Sequence, residues 1–316
     1  MILCLGEAVA DLVATANGRL VAPGRSFRLA AGGAPANVAV AAGLLGVAAV
    51  FLGKVGNDPF GWFLEETIAA GGVVAEIRRD ASAPTPLAFV SLREGGEREF
   101  YFHPARPAYL EMTAAEVEEA IARRTNLSFF HFGGLTLAGE PARSAVLRGA
   151  ELAARRGAVV TFDPNWRPSL WPDMQEGRRR LLEGAQAAEV VKMNEEEACL
   201  LSRCAEVSTA ARWFVERGAR LAVVTRGERG CHYAWAQGEG EVPGYQVAAV
   251  DTTGAGDAFM GAFLAGLQGR AGGRRELETA LSRANAAGAL ATLRRGAIPA
   301  FPTARRLEKF LRLSRE

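Results

Sequence analysis

Short, continuously apolar runs alternate with longer stretches of helical periodicity along this chain. The runs Ile2–Leu5, Ala49–Gly53, Phe129–Phe132, Val159–Phe162, Val190–Met193 and Leu221–Thr225 read as strands buried on both faces. The helical spacing predicts helices over Ala36–Leu45, Phe60–Ala70, Ala114–Arg123, Pro141–Arg155, Glu195–Leu201, Ser208–Arg217, Asp257–Leu267 and Leu277–Leu293. Such alternation predicts an α/β fold: a doubly wound, mostly parallel sheet flanked by helices.

Two segments break the rhythm. Arg19–Ala31 and Pro86–Phe102 read as alternating strands, and in the second Leu87–Leu92, a Glu94-Gly95-Gly96-Glu97 turn and Glu99–Phe102 make a hairpin pattern. They predict a small β-sheet lid, formed by residues of about 12–31 and 84–107 and inserted in the α/β core of a single domain spanning residues 1–316. The exposed strand edges of such a sheet invite pairing with a second copy, so a homodimer is expected.

In open α/β sheets, ligands bind beyond the carboxyl ends of the strands. Here Ile2–Leu5 runs into Gly6, Glu7 and Asp11, and Phe129–Phe132 into Gly133-Gly134. Val159–Phe162 is followed by Asp163, Asn165 and Arg167, Val190–Met193 by Asn194 and Glu197, and Leu221–Thr225 by Arg226-Gly227. One polar loop means little, because loops are polar by default; five along one rim point to a site.

The strongest chemical signal is Asp251-Thr252-Thr253-Gly254-Ala255-Gly256-Asp257, followed by the apolar run Ala258–Leu264. A glycine-rich turn that opens a buried helix presents free backbone N–H groups to an anion at the positive helix end. Asp257 sits where that anion would be held, and carboxylates repel phosphates. The position makes sense for a general base that takes a proton from a hydroxyl while the amides bear a transferring phosphoryl group. An acidic helix start contributes about 0.3–1 kcal/mol through the dipole; that explains an aspartate but not the dense glycines. A second segment, Ala30–Asn37, brings Gly32 and Gly33, which let a backbone approach a ligand, Pro35, which suits a first helical turn, and Asn37, a donor and acceptor for a polyol. Its alternative reading is a helix that packs tightly because its residues are small.

Composition narrows the classes. The chain has 316 residues, 49% of them hydrophobic, ample for a full core. A net charge of +2 with no visible cluster of basic residues argues against nucleic acid. Neither a G-K-S/T phosphate loop nor a dinucleotide G-x-G-x-x-G follows the first strand, which disfavours a nicotinamide oxidoreductase. No apolar run is long enough to span a membrane. Cys4, Cys199, Cys204 and Cys231 lack C-x-x-C spacing, and without a signal-peptide pattern reduced thiols in a cytoplasmic protein are expected. The three histidines are dispersed, so no histidine metal site is expected.

The two glycine-bearing segments, AGGAPANVA with the spaced Gly46 and Gly56, and DTTGAGD, resemble the paired signatures of ribokinase-like (PfkB-type) carbohydrate kinases. The resemblance runs from Ile2 to about Pro302 and includes NEEE at Asn194–Glu197, TRGERG at Thr225–Gly230, and ANAAGALAT followed by GAIPAFPT. It implies a ribokinase-like fold and ATP-dependent phosphorylation of a sugar or nucleoside hydroxyl, with Asp257 as the base and the amides of Gly254, Ala255 and Gly256 as the anion hole. It also implies that Asn194 and Glu197 help to place Mg²⁺ and the phosphates, largely through water. Thr225, Gly227 and Gly230 would line the nucleotide loop, Asn285 would lie near the adenine, and Asp11, Gly32, Gly33 and Asn37 would contact sugar hydroxyls. A monovalent cation such as K⁺ is implied beside the anion hole, held mostly by carbonyl oxygens from among Asp251, Thr253, Ala291, Arg294 and Gly296; Ala300 falls where some relatives carry a serine.

Within that family, GKVGNDPFG at Gly53–Gly61, LAFVSL, EREF, EPARSA and FDPNWRPSLWP at Phe162–Pro172 resemble fructokinases. Asp163, Asn165 and Arg167 would then sit above the phosphates, Arg167 offsetting anionic charge. The chain departs from that pattern after Tyr101. Fructokinases continue Arg-Asn-Pro-Ser-Ala-Asp, whereas here Phe102-His103-Pro104-Ala105-Arg106-Pro107 follows, leaving Arg106 as a shifted substitute. The expectation is a kinase of fructose or a similar ketohexose, with 2-keto-3-deoxygluconate and nucleoside or ribose kinases as alternatives. A sugar-binding protein without catalysis is the alternative from another class.

Overall fold

The computed structural model describes residues 1–16, 18–92, 98–267 and 273–314. Its strands are β1 (Ile2–Leu5), β2 (Val9–Ala14), β3 (Phe27–Gly32), β4 (Ala49–Gly56), β5 (Val74–Asp80), β6 (Leu87–Leu92), β7 (Arg98–His103), β8 (Phe129–Gly133), β9 (Val159–Asp163), β10 (Val190–Asn194), β11 (Leu221–Thr225), β12 (Cys231–Trp235) and β13 (Gly238–Val242). Its α-helices are α1 (Ala34–Leu44), α2 (Pro59–Ala70), α3 (Ala114–Ala122), α4 (Ala142–Arg155), α5 (Met174–Gln186), α6 (Glu195–Ser202), α7 (Val207–Val215), α8 (Ala255–Leu267), α9 (Arg274–Ala291) and α10 (Ala304–Leu313).

One sheet runs β13-β12-β11-β10-β9-β8-β1-β4-β5. From β11 to β5 every neighbouring pair is parallel, and β12 and β13 close one edge as an antiparallel hairpin. Successive side chains of a strand face opposite ways, so the central strands feed two cores. Ile2 and Cys4 of β1 join the residues of α1, α2, α8 and α9; Leu3 and Leu5 join those of α3 to α7. This is the doubly wound arrangement expected, and no helix among the described residues is long and apolar enough to cross a membrane.

A second sheet of four strands runs β3-β2-β6-β7. The hairpin β6–β7 forms as expected, in the register Leu87↔His103 to Leu92↔Arg98, and its Glu94–Glu97 turn lies outside the described residues. The first half of the small sheet differs from expectation. Arg19–Ala31 contributes the single strand β3, and its partner is β2, which pairs with both β3 and β6. Asp11 in the middle of β2 interrupts the apolar alternation, so the segment reads as a polar loop although it is a strand. The edge strand β5 also escaped the apolar pattern. Charged residues of the kind it carries, Glu76, Arg78, Arg79 and Asp80, are a common guard on sheet edges.

The helix pair α1–α8 connects fold to site. Both helices are apolar all round and buried along most of their length, as a helix enclosed by other elements must be. They pack closely because Gly261 has no side chain. A β-carbon there would meet the Ala41 β-carbon at 2.6 Å and the Val38 carbonyl oxygen at 2.8 Å. Gly261→Val should therefore lower the unfolding free energy by about 1–3 kcal/mol through overpacking, read as a lower urea midpoint with an unchanged slope; an unchanged midpoint would show that the contact is not tight.

Candidate active site

The carboxyl ends of β1, β8, β9, β10 and β11 lie side by side, with Gly133 paired to Asp163 and Asn194 to Thr225. The chain turns there into Glu7, Asn165, Arg167 and the start of α6. A cavity of about 870 Å³ opens at this rim, floored by the turn into α8 and walled by the small sheet through Asp11, Arg28, Val90 and Phe102.

Asp257 stands in the first turn of α8, nearly enclosed. Its Oδ2 accepts a 2.8 Å hydrogen bond from Asn37 Nδ2, which comes from the first turn of α1. Burial pushes the Asp257 carboxyl up to about 6. The Asn37 amide and Lys192 pull it down, Asp163 adds to the rise, and Arg167 opposes it. A carboxylate titrating near neutrality suits proton abstraction. The turn before it needs Gly254, whose φ of +75° belongs to the left-handed region, where a β-carbon would press within 2.7 Å of Ala297. The helical ladder starts with Ala258 N–H donating to Gly254 O, while Ala255 N–H donates to Thr252 O at 3.2 Å. The N–H groups of Gly256 and Asp257 are thus left without a helical partner, beside the cavity.

The far side of the floor is built from charged pairs. Lys192 Nζ donates to Asp163 Oδ2 at 2.7 Å, both groups buried. Glu197 is a clamp between two loops: Oε1 accepts from Trp166 N–H at 2.8 Å and Oε2 from Asn194 N–H at 2.9 Å, while Asn194 Oδ1 caps α6 by accepting from Glu197 N–H. Burial and Asp163 hold the Glu197 carboxyl above its ordinary value. Asp251 ties the α8 turn to the loop after α9: Oδ1 accepts from the N–H and hydroxyl of Thr253, and Oδ2 from Gly296 N–H at 2.8 Å.

On the wall facing Asp257, Glu7 Oε1 accepts from Ala34 N–H at 3.1 Å, at the start of α1. Burial raises both Glu7 and Asp11 to about 7. Arg167 draws both back, and Asp257 adds to the rise. Gly33, at φ +101°, turns the chain from β3 into α1, and a β-carbon on it would strike the Glu7 carbonyl at 2.3 Å.

Asp257, Gly254, Gly256, Arg167, Asp11, Gly33, Asn37, Asn194, Thr225, Glu197, Asp251, Thr253 and Gly296 all line this cavity. Gly32 lies behind Asp11, its absent β-carbon leaving room for the Asp11 carboxylate. Ala255, Gly227, Gly230, Ala291 and Arg294 are not in the lining. Nor is Asn285, whose amide instead donates to the carbonyls of Val242 and Pro243 at 3.1 Å each. Arg106 does not substitute for a lid arginine: it is bonded to Glu111 and to the Glu140 carbonyl, away from the cavity. Lys192 escaped sequence reading because it is embedded in an apolar strand. The available signal was its rarity, as one of three lysines among 37 basic residues.

Among the described residues, no group of three or more His, Cys, Asp or Glu side chains could hold a metal ion. Both Glu197 oxygens already take amides. The site therefore fits an outer-shell, water-mediated contact to a nucleotide-bound cation better than a protein cage.

The profile described as pfkB family carbohydrate kinase matches residues 1–304. The chain belongs to this family. It is 40% identical to "Fructokinase-1" of Oryza sativa subsp. japonica, across 96% of this chain and 95% of that protein. Its fold matches a fructokinase with bound ATP from Xylella fastidiosa with a TM-score of 0.90, at 33% identity, covering 100% of this chain and 99% of the other. A fructokinase from Vibrio cholerae O395 in a fructose, ADP and calcium ion bound form matches with a TM-score of 0.88, at 32% identity and 98% coverage of each chain. As a pfkB carbohydrate kinase, the protein is an ATP-dependent phosphotransferase with a sugar hydroxyl as acceptor. Its kcat/KM should fall as the pH drops toward about 6, where Asp257 takes its proton, and the protonation of Glu7 and Asp11, raised to about 7, should steepen that acid limb. Asn37→Ala removes a hydrogen bond that favours the charged carboxylate, so its acid limb should move to higher pH; a limb that stays in place would detach this titration from Asp257.

Proposed function

We propose that this kinase transfers the γ-phosphoryl group of ATP to a hydroxyl of fructose or a similar ketohexose. The observation that carries the reading is the buried Asn37–Asp257 pair set beside the open amides of the α8 turn. The names of the most similar relatives support the sugar. In the step proposed, Asp257 takes the proton of the acceptor hydroxyl, whose oxygen forms a bond to the γ-phosphorus. The bond from that phosphorus to the bridging oxygen breaks, and its electron pair stays on ADP. The turn Gly254-Ala255-Gly256 bears the charge in flight, with the Gly256 amide best placed, and Arg167 offsets it from above.

Asp11, Gly33 and Asn37 would hold the sugar hydroxyls, with Gly32 giving Asp11 its room. Asn194 and Thr225 would face the nucleotide, while Gly227, Gly230 and Asn285 shape the wall behind it. Magnesium arriving with ATP neutralises phosphate charge when bound, and Glu197 would meet it through water. The Asp251 bonds bring residues 251–253 beside Gly296, a setting in which carbonyl oxygens can hold K⁺, with Ala291 and Arg294 nearby in sequence.

The small sheet would act as a lid. On its outer face Phe27 packs edge-on against Phe89, and Tyr101, 56% exposed, lies against Phe89. We assign that apolar face to a homodimer contact, which requires a dimer by sedimentation at micromolar concentration and a monomer for Tyr101→Glu.

The decisive assay follows ATP consumption with fructose, other ketohexoses, sugar acids and nucleosides. Fructose should give the highest kcat/KM. A sugar acid or a nucleoside in its place would move the chain to another branch of the family, and sugar binding without turnover would make it a binding protein. Asp257→Asn should cut kcat at least about a hundredfold, the scale of general base catalysis, with ATP still bound. Run in potassium and then in tetramethylammonium, the same assay should slow in the bulky cation; equal rates would remove the monovalent site.

A further inference from the structure

Beyond drawing the Asp257 carboxyl down, Lys192 has no part in the roles assigned so far, yet its setting is specific. It occupies the middle of β10, between Val190-Val191 and Met193, and only 5% of its surface is exposed. An ammonium at such a depth loses hydration, and a buried ion pair often adds nothing to stability over two well-packed apolar residues. The Lys192–Asp163 pair is therefore poorly explained as a support for the fold. Its ammonium does not stop at Asp163. A β-carbon on Gly256 would lie 2.9 Å from Lys192 Nζ, so the charge rests against the flank of the turn whose amides are open.

The surrounding charges sharpen the point. The carboxylates that face Lys192 are Asp163 from β9, Glu197 from α6 and Asp257 from α8. From β8 comes His131, which burial keeps neutral by lowering it to about 4. Burial works against the Lys192 charge, but those carboxylates override it and hold the ammonium above the ordinary lysine range. A triphosphate that enters this floor meets mostly negative side chains. Of the basic groups along the cavity, only Lys192 is buried beneath the turn; the other lining cations are arginines of the walls.

We propose that Lys192 is a further catalytic residue, whose ammonium shares itself between Asp163 and the γ-phosphoryl group as that group passes over the Gly256 amide. Asp163 holds the charge in reserve and limits how far it can wander. The charge of the transferring group is spread over its three equatorial oxygens, and only in flight does that group lie over the Gly256 amide, so the contact is made in the transition state more than in the ATP complex. The proposal rests on the reading of Asp257 and its turn as the transfer site.

The test compares Lys192→Met, the double variant Asp163→Asn/Lys192→Met and Asp257→Asn with the parent enzyme, after thermal melts confirm folding. The double variant leaves no uncompensated carboxylate at position 163, so it keeps the experiment decisive where the single variant fails to fold. Lys192→Met and the double variant should both lose about 10²–10³-fold in kcat, the scale for removal of one preorganised donor, with the KM for ATP changed less than about threefold. Binding of ADP with aluminium fluoride, relative to ADP alone, should weaken by a matching factor in the double variant. A double variant that regains parental kcat would reduce Lys192 to a counter-ion for Asp163 and overturn the proposal, even with Asp257→Asn inactive. An Asp257→Asn enzyme at the parental rate would instead overturn the transfer-site reading itself.

Discussion

The structure turns on one carboxylate held out of water. Asp257 is buried at the positive end of α8 and takes its hydrogen bond from Asn37, 220 residues earlier in the chain. An unpaired carboxylate at that depth would simply keep its proton. The amide of Asn37 and the ammonium of Lys192 offset part of that tendency without abolishing it, and the result is a group whose charge is easily lost and regained. For this to work, α1 and α8 must keep their first turns in register. They do so because small residues, with Gly261 against Ala41, bring the two axes close.

The remaining polar groups form two further walls around that centre. On one side Glu7, Asp11 and the Gly33 turn come from the crossover between the main sheet and the small one. On the other, the single carboxylate of Glu197 binds both the loop after β9 and the start of α6. A side chain that satisfies two loop amides at once fixes the distance between those loops more firmly than separate bonds to water would. The Asp163–Lys192 pair lies between the walls, where the β9 and β10 strand ends are neighbours.

Much of this was legible in the sequence, for identifiable reasons. Strands of the parallel core are buried on both faces and announce themselves as apolar runs. The DTTGAGD turn combines a left-handed glycine with a helix start, a combination with few structural uses. What escaped lay where a polar residue interrupts an apolar strand. Asp11 disguised β2 as a loop, and Lys192 was hidden within an apolar run. Asn285 shows how the backbone also claims polar groups: its amide donates to two backbone carbonyls at the end of β13. Sequence shows which residues carry chemistry, but the chain's own backbone is always a competing partner.

The connectivity of the small sheet has a kinetic meaning. Asp11 belongs to β2, which leaves β1 after three residues, and β3 enters α1 across Gly33. The sheet thus carries part of the cavity wall, Asp11 included, on its own strands. Were it to swing outward, Asp11 would leave with it, and the sugar contact proposed for Asp11 would be lost as the pocket filled with solvent. With the proposed sugar bound against Asp11, such a sheet would guard a bound nucleotide against wasteful hydrolysis by making the correct acceptor its own doorkeeper.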